Sequence, residues 1–491
     1  MSVLEKAGLP RFHVEGIYPT STMQEEMIFS TIMDPTQRSY IETYHFETDE
    51  EIRADELHTA ILAVASNHSA LRAVICGNMD SIDDDDDDED PDSFLLAVVM
   101  PDHLRKNSTL LVTHESVHAH EAQCHVHFQV LGHGKAETWN GGLLWKLFLS
   151  PMSEGRQRIT LSYHHSILDG SSARRLLSLI HDTIKNPSNN HPQSDIFASQ
   201  ETLEFPPRQV LQRRLLETLE GARPRIISID GEADRHLTGV GEWACNVSTS
   251  FAPRPRSAAV PAWLARLALS VTLCAVQGDS EAMFMEMTSG RRHLAADHQE
   301  VLGLVIIPQI RRVQFPAGAS LFEVARSLRT RDDLLHPFSI GELKAFLGRK
   351  SQNLQVNLVC QTDESFPSGG VGSWKWSHAE ADVGLPLIVE LLAPKDGSFQ
   401  IRLRYSKTKF SKSFANEFGK TFCGSIEWLQ MQHVDPYLSA LFSSPHLEDA
   451  YLHMYAFCLN DSYDTKHGQY DVSPVLSGVV WPRIRRISIQ A

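Results

Sequence analysis

Two adjacent histidines, His164 and His165, stand just ahead of an acid and a glycine in the stretch Ser162-Tyr163-His164-His165-Ser166-Ile167-Leu168-Asp169-Gly170-Ser171-Ser172. Imidazole exchanges protons near neutral pH, so a histidine here suits general acid–base work. Asp169, four residues after His165, is badly spaced to act on the same atom from a turn. Its expected task is to anchor the turn, with Gly170 taking a backbone angle that other residues resist. Arg158-Ile159-Thr160-Leu161 upstream has the β-branched content of a strand end. Downstream, Leu176, Leu177 and Ile180 fall on one helical face, with Ser171 or Ser172 as the cap. A turn held between a strand and a helix fixes side chains without burying them.

The order His164-His165-Ser166-Ile167-Leu168-Asp169-Gly170 resembles the HHxxxDG signature of the condensation domains of nonribosomal peptide synthetases, and Ser172 matches the serine that follows it. That family belongs to the chloramphenicol acetyltransferase-like acyltransferases. Tyr18-Pro19-Thr20-Ser21-Thr22-Met23-Gln24-Glu25-Glu26-Met27-Ile28-Phe29 resembles the first core motif in its fungal form, and Ser21 with Gln24 has capping-box spacing. Asn67-His68-Ser69-Ala70-Leu71-Arg72 resembles the second core motif at His68 and Leu71-Arg72, and departs from it at Asn67 and Ser69. Ser289-Gly290-Arg291 looks like the family's "SGR". Val301-Leu302-Gly303-Leu304-Val305-Ile306-Ile307-Pro308 resembles the fifth motif aligned on Gly303, departing where Ile307 and Pro308 replace Asn and Thr.

The resemblance spans roughly residues 15–430. It implies an α/β fold of two chloramphenicol acetyltransferase-like sandwich lobes in a V, with the active site in a tunnel between them. The expected divisions are an N-terminal lobe over 1–185, a crossover over 186–207, a C-terminal lobe over 208–432 and an unmatched tail over 433–491. By the resemblance His165 is the active-site residue, as base or positioner for a nucleophile attacking an acyl thioester. His164 holds the turn, a donor near Gly170 faces the developing oxyanion, and Asp169 pairs with an arginine. Arg291 is the first candidate partner and Arg72 the second, Arg72 otherwise pairing with an acid of its own lobe. No tightly bound cofactor is expected. Substrates are expected on the phosphopantetheine of an acyl or peptidyl carrier protein, or on CoA.

Composition narrows the alternatives. The net charge of −16 argues against nucleic acid as a partner. Much of it sits in the unbroken acidic run from Asp83 to Asp90, expected as a disordered loop near 80–92. Seven scattered cysteines without a CxxC pair fit free thiols and a cytoplasmic protein. The most apolar window, Ala258 to Val276, contains Pro261 and Arg266, so a buried helix is expected rather than a membrane span. His114-Glu115-Ser116-Val117-His118 matches the HExxH zinc pattern, which works only on a helix. Its flanks, Leu110 to Thr113 and the alternation Val126, Phe128, Val130, are strand-like, so no metal site is expected.

Neither an adenylation domain nor a Gly-Gly-x-Ser carrier site occurs in the chain. The expectation is a stand-alone condensation enzyme of secondary metabolism, forming an amide or an ester with carrier-bound partners supplied in trans. Two alternatives stay open. One is an acyl-CoA-dependent acyltransferase, although Gly370-Val371-Gly372-Ser373-Trp374 fails the DFGWG motif of plant members. The other is a non-catalytic relic.

Overall fold

The computed structural model describes residues 9–33, 39–76, 95–102, 110–116, 142–188, 193–201, 207–222, 240–247, 262–291, 300–316, 321–330, 338–348, 354–361, 370–382, 385–392 and 399–431, with Leu4, Leu104, Ile227 and Leu294. The acidic run and the tail lie outside them, as does His118.

In chain order the first half supplies β1 (Val14–Pro19), α1 (Thr22–Met33), β2 (Ile41–Thr48), α2 (Ala54–Asn67), β3 (Ala73–Cys76), β4 (Leu95–Val99) and β5 (Leu111–Thr113). Then come β6 (Trp145–Pro151), β7 (Gln157–His164), α3 (Gly170–Lys185) and α4 (Ile196–Glu201). The second half holds α5 (Arg208–Leu219), β8 (Val240–Val247), α6 (Ala262–Gln277), β9 (Glu281–Ser289) and β10 (Ile306–Gln314). It continues through α7 (Leu321–Thr330), α8 (Ile340–Leu347), β11 (Val356–Gln361), β12 (Lys375–Asp382), β13 (Leu387–Leu392), β14 (Phe399–Ser406) and α9 (Lys412–Met431).

Two sheets carry the lobes, one of five strands in the order β12-β2-β7-β6-β5 and one of six in the order β10-β9-β11-β13-β14-β8. A smaller sheet, β1-β4-β3, flanks the first. In the first lobe α2 packs beside α3, and Leu57, Ile61, Val64, Leu176, Leu177 and Ile180 join one buried core with Ile159 and Leu161 of β7. In the second, α6 packs against α9, whose Phe414, Phe418, Phe422 and Ile426 fill the core as their four-residue spacing predicts. Each such buried side chain contributes about 1.5–3 kcal/mol relative to exposure.

The period of a strand divides β9 between two environments. Ala282 and Phe284 face the core shared with α6, while Met283 and Met285 join a third cluster with Met23 and Met27 of α1 and Leu343 of α8. That cluster draws on both lobes and helps to hold them together. Glu286 shares the inner face with Phe284. It is buried, and accepts hydrogen bonds from Arg266 at 2.9 Å and Arg311 at 2.5 Å. The arginine that makes a membrane span untenable is therefore an internal ion-pair partner. Among the described residues no helix is long and apolar enough to cross a membrane.

Two segments depart from the expected layout. β12 comes from within the 208–432 stretch, yet pairs antiparallel with β2 as an outer strand of the first sheet. The 186–207 crossover includes α4, whose Phe197 stacks on Tyr18 at 4.4 Å.

Candidate active site

β7 ends at His164, and pairing with β2 sets Ile41 opposite His164 and Glu42 opposite Tyr163. The ladder runs one residue further, because the His165 backbone N–H donates to the Tyr40 carbonyl at 2.7 Å. Tyr40 presents that carbonyl at φ 63°, a left-handed conformation that a bulky residue rarely adopts. The motif near the N-terminus meets the signature directly. Ser21 and Gln24 form the predicted reciprocal cap, and the Gln24 amide reaches on to the Ser166 carbonyl at 2.9 Å.

His164 is fully buried. The Ser166 backbone N–H points at its Nδ1 and Thr31 Oγ1 lies 3.0 Å from its Nε2, which assigns Nδ1 as acceptor and Nε2–H as donor. Burial, with the neighbouring His165 imidazole, lowers the His164 pKa from 6.5 to about 3. Folding thus excludes a proton that the unfolded chain binds below pH 6.5, so stability rises with pH between about 3 and 6.5. A His164→Asn variant should show a flatter stability–pH curve across that window, by up to about 1.4 kcal/mol per pH unit. Denaturant titrations from pH 4 to 7 measure it. An unchanged slope would mean that this imidazole is not the group responsible.

Asp169 anchors the turn from both lobes. Its carboxylate caps α3 by accepting the Ser172 N–H at 2.8 Å, accepts the Val305 N–H at 3.1 Å, and takes Arg291 at 2.8 and 3.0 Å. The cap is therefore Asp169 and not Ser171 or Ser172. Gly170 opens α3 as an ordinary helical residue and is absent from the described glycines with positive φ, so the special backbone angle expected there is not needed. Ser172 serves the interface instead. Its hydroxyl donates to the Gly303 carbonyl at 2.8 Å and accepts from the Gly303 N–H and from Arg291. Arg72 is not part of this knot. It pairs with Glu15 of its own lobe and donates to the Val99 carbonyl at 2.8 Å.

Gly303 tolerates no side chain. Its φ is 156°, and an added Cβ would sit 2.4 Å from the Ile196 side chain of α4. Gly303→Ala is expected to lower stability by about 1–3 kcal/mol through overpacking, read as a drop in melting temperature. A neutral result would mean that α4 moves aside freely.

His165 sits where these contacts converge. Its Nδ1 is buried without a hydrogen-bond partner, and its Nε2 lies 3.9 Å from Oε1 of Glu42. Glu42 was not singled out from the sequence. It is buried, and its Oε2 accepts from the Tyr44 and Tyr163 hydroxyls at 2.5 Å each. Burial pushes its carboxyl up, but the His165 imidazole, Arg404 and the two hydroxyls hold it, on balance, below the ordinary carboxylate value. Arg404 comes from β14 of the other lobe, and with Arg402 it hydrogen-bonds the buried Glu390 of β13.

Of the HExxH stretch only His114, Glu115 and Ser116 are among the described residues. Residues 114–116 are not helical, and His114 stacks on Phe148 at 6.0 Å.

The two-lobed α/β fold is what known proteins share with this chain. No family model matches it. Over 441 residues, 87% of its length, it is 36% identical to part of a nonribosomal peptide synthetase, agiA of Aspergillus flavus, and spans 5% of that protein. The condensation domain of the monacolin K polyketide synthase MokA superposes with a TM-score of 0.64 at 14% identity, over 85% of this chain and 98% of that one. The starter condensation domain of rhizomide synthetase RzmA, solved with C8-CoA, gives 0.65 at 14%, over 86% and 95%. The chain is thus similar in sequence to part of a nonribosomal peptide synthetase, and it has the chloramphenicol acetyltransferase-like two-lobe fold of condensation domains.

Proposed function

We propose that the chain is a condensation enzyme that joins an amine or alcohol to an acyl group held as a thioester on a carrier protein supplied in trans. The observation that carries this reading is His165. It is a part-exposed imidazole on a turn tied to both lobes by Asp169, Ser172, Gly303 and Arg291. With Nδ1 buried, Nε2 is the nitrogen that meets substrate. It accepts the nucleophile's proton as the nucleophile's electron pair attacks the thioester carbon. The backbone N–H groups that open α3 at Gly170 offer the positive end of a helix to the developing oxyanion. Collapse breaks the C–S bond, and the imidazolium returns the proton to the departing sulfur. Asp169 and Arg291 hold the turn and touch no reacting atom in this scheme.

A second donor deserves the same test, because the RzmA domain was solved with C8-CoA. The experiment is intact-protein mass spectrometry of an octanoyl-loaded carrier protein, mixed with this protein and a panel of amines and alcohols, beside reactions fed free octanoyl-CoA. Acyl loss from the carrier that requires a nucleophile supports the proposal and identifies the bond. Transfer from octanoyl-CoA alone favours the CoA-dependent reading, and a well-folded protein inert to both is a non-catalytic relative.

A further inference from the structure

The Glu42 carboxylate stands on the reacting side of His165, at Nε2, and not behind the ring at Nδ1 where an orienting acid would stand. The 3.9 Å between Oε1 and Nε2 is too long for a hydrogen bond between them. A single nitrogen placed about 2.8 Å from each would see the two atoms at an angle of about 90°, roughly 20° narrower than the tetrahedral spread of two N–H bonds, a deviation that hydrogen-bond angles above about 150° accommodate. Oε2 is already engaged by two tyrosine hydroxyls, which leaves Oε1 as the oxygen turned to His165. From the described elements packed around this carboxylate, the titratable and charged groups are Tyr44 of β2, Tyr163 and His165 on and after β7, and Arg404 of β14. Behind Arg404 stand Glu390 and Arg402. Arg404 spends its hydrogen bond on Glu390 and makes no ion pair as short as 4 Å with Glu42 among the described residues.

We infer that Glu42 recognises the acceptor: its carboxylate holds a nucleophile in the ammonium form beside His165 and biases the site towards amines over alcohols. The inference rests on the condensation reading. An ammonium has N–H donors for both Oε1 and Nε2. An alcohol has one O–H, so once it donates to His165 its lone pairs face a carboxylate. The ammonium gives one proton to Nε2, and the freed pair forms the C–N bond. The C–S bond breaks with its electrons on sulfur, and the imidazolium protonates the thiolate. The second N–H proton leaves to solvent, so ammonium and thioester become amide, thiol and one released proton. Glu42 stays anionic throughout and neutralises the nitrogen's charge before and after attack.

The test compares wild type, Glu42→Gln and Glu42→Asp with acceptors that differ only in the nucleophilic atom. Turnover uses an octanoyl-loaded carrier with glycyl- or glycolyl-loaded acceptor carrier. Binding uses the stable glycyl- and glycolyl-pantetheine amides by calorimetry, which needs no catalysis. Loss of one charge-assisted hydrogen bond predicts a fall of about 10–100-fold in the glycyl-to-glycolyl ratio for Glu42→Gln, partly restored in Glu42→Asp. An equal loss with both acceptors would make Glu42 structural and overturn the inference. If wild type turns over neither acceptor, the condensation reading fails and the binding ratio alone decides on Glu42. Melting curves of the variants confirm that folded protein is compared.

Discussion

Alanine in place of His165 is expected to cut acyl transfer by about 10²–10⁴-fold, the usual contribution of a positioned proton acceptor. The loss should fall on kcat with little change in KM, because the interaction removed is made chiefly in the transition state. The fold has little reason to respond. The ring makes no hydrogen bond among the described residues, and the one contact that extends the ladder, to Tyr40, belongs to the backbone and survives the substitution. Single-turnover transfer from an octanoyl carrier, measured beside a melting curve, separates the two effects. Full activity in a folded His165→Ala protein would move the chemistry away from this turn. Lost activity with a collapsed melting temperature would instead assign the residue a packing role.

Arg291→Ala should damage both stability and turnover. The guanidinium bridges Asp169 and Ser172 of one lobe to the Val301 and Gly303 carbonyls of the other. Arg291 and Asp169 are 14% and 6% exposed, so water replaces the lost partner poorly. Stranding one member of such a pair costs about 3–5 kcal/mol, and the two amide donors left on Asp169 place the expectation near the lower figure. Turnover should fall by about 10²-fold, since a small misplacement of the turn misaligns His165. Arg291→Lys keeps the charge but not the fork, and should recover only part of either loss. Denaturant midpoints and kcat measured together would check this. A variant of normal stability would mean that the lobes are held in register by their apolar contacts alone.

Local signals carried most of what was legible in advance. The capping box of α1, the apolar face of α2 and the phenylalanine ladder of α9 depend on neighbours within a few residues, and each is found where its spacing put it. Resemblance extended this reach to Asp169 and Arg291, which contiguous motifs label on separate strand ends. Glu42 escaped because nothing local marks it. It becomes a site residue through pairing with Tyr163, 121 positions away, and through Arg404 from the other lobe. A strand's alternation shows that Glu42 and Tyr44 share a face, but not which strand lies beside it. The cap of α3 was misplaced for a related reason. With Gly170 given a special backbone angle and Ser171 or Ser172 as cap, the expected helix begins two or three residues too late. The observed helix starts at Gly170 and takes Asp169 as its cap.

The outer position of β12 has a consequence for how the chain comes to be made. Its partner β2 leaves the ribosome long before residues 375–382 do. At about 5–20 residues per second the delay is on the order of tens of seconds. During that time β2 has β7 on one side and an open hydrogen-bonding edge on the other. The nascent first lobe is therefore born with a vacancy that only the second lobe's sequence fills, and completion of one sheet becomes the step that commits the two halves to each other.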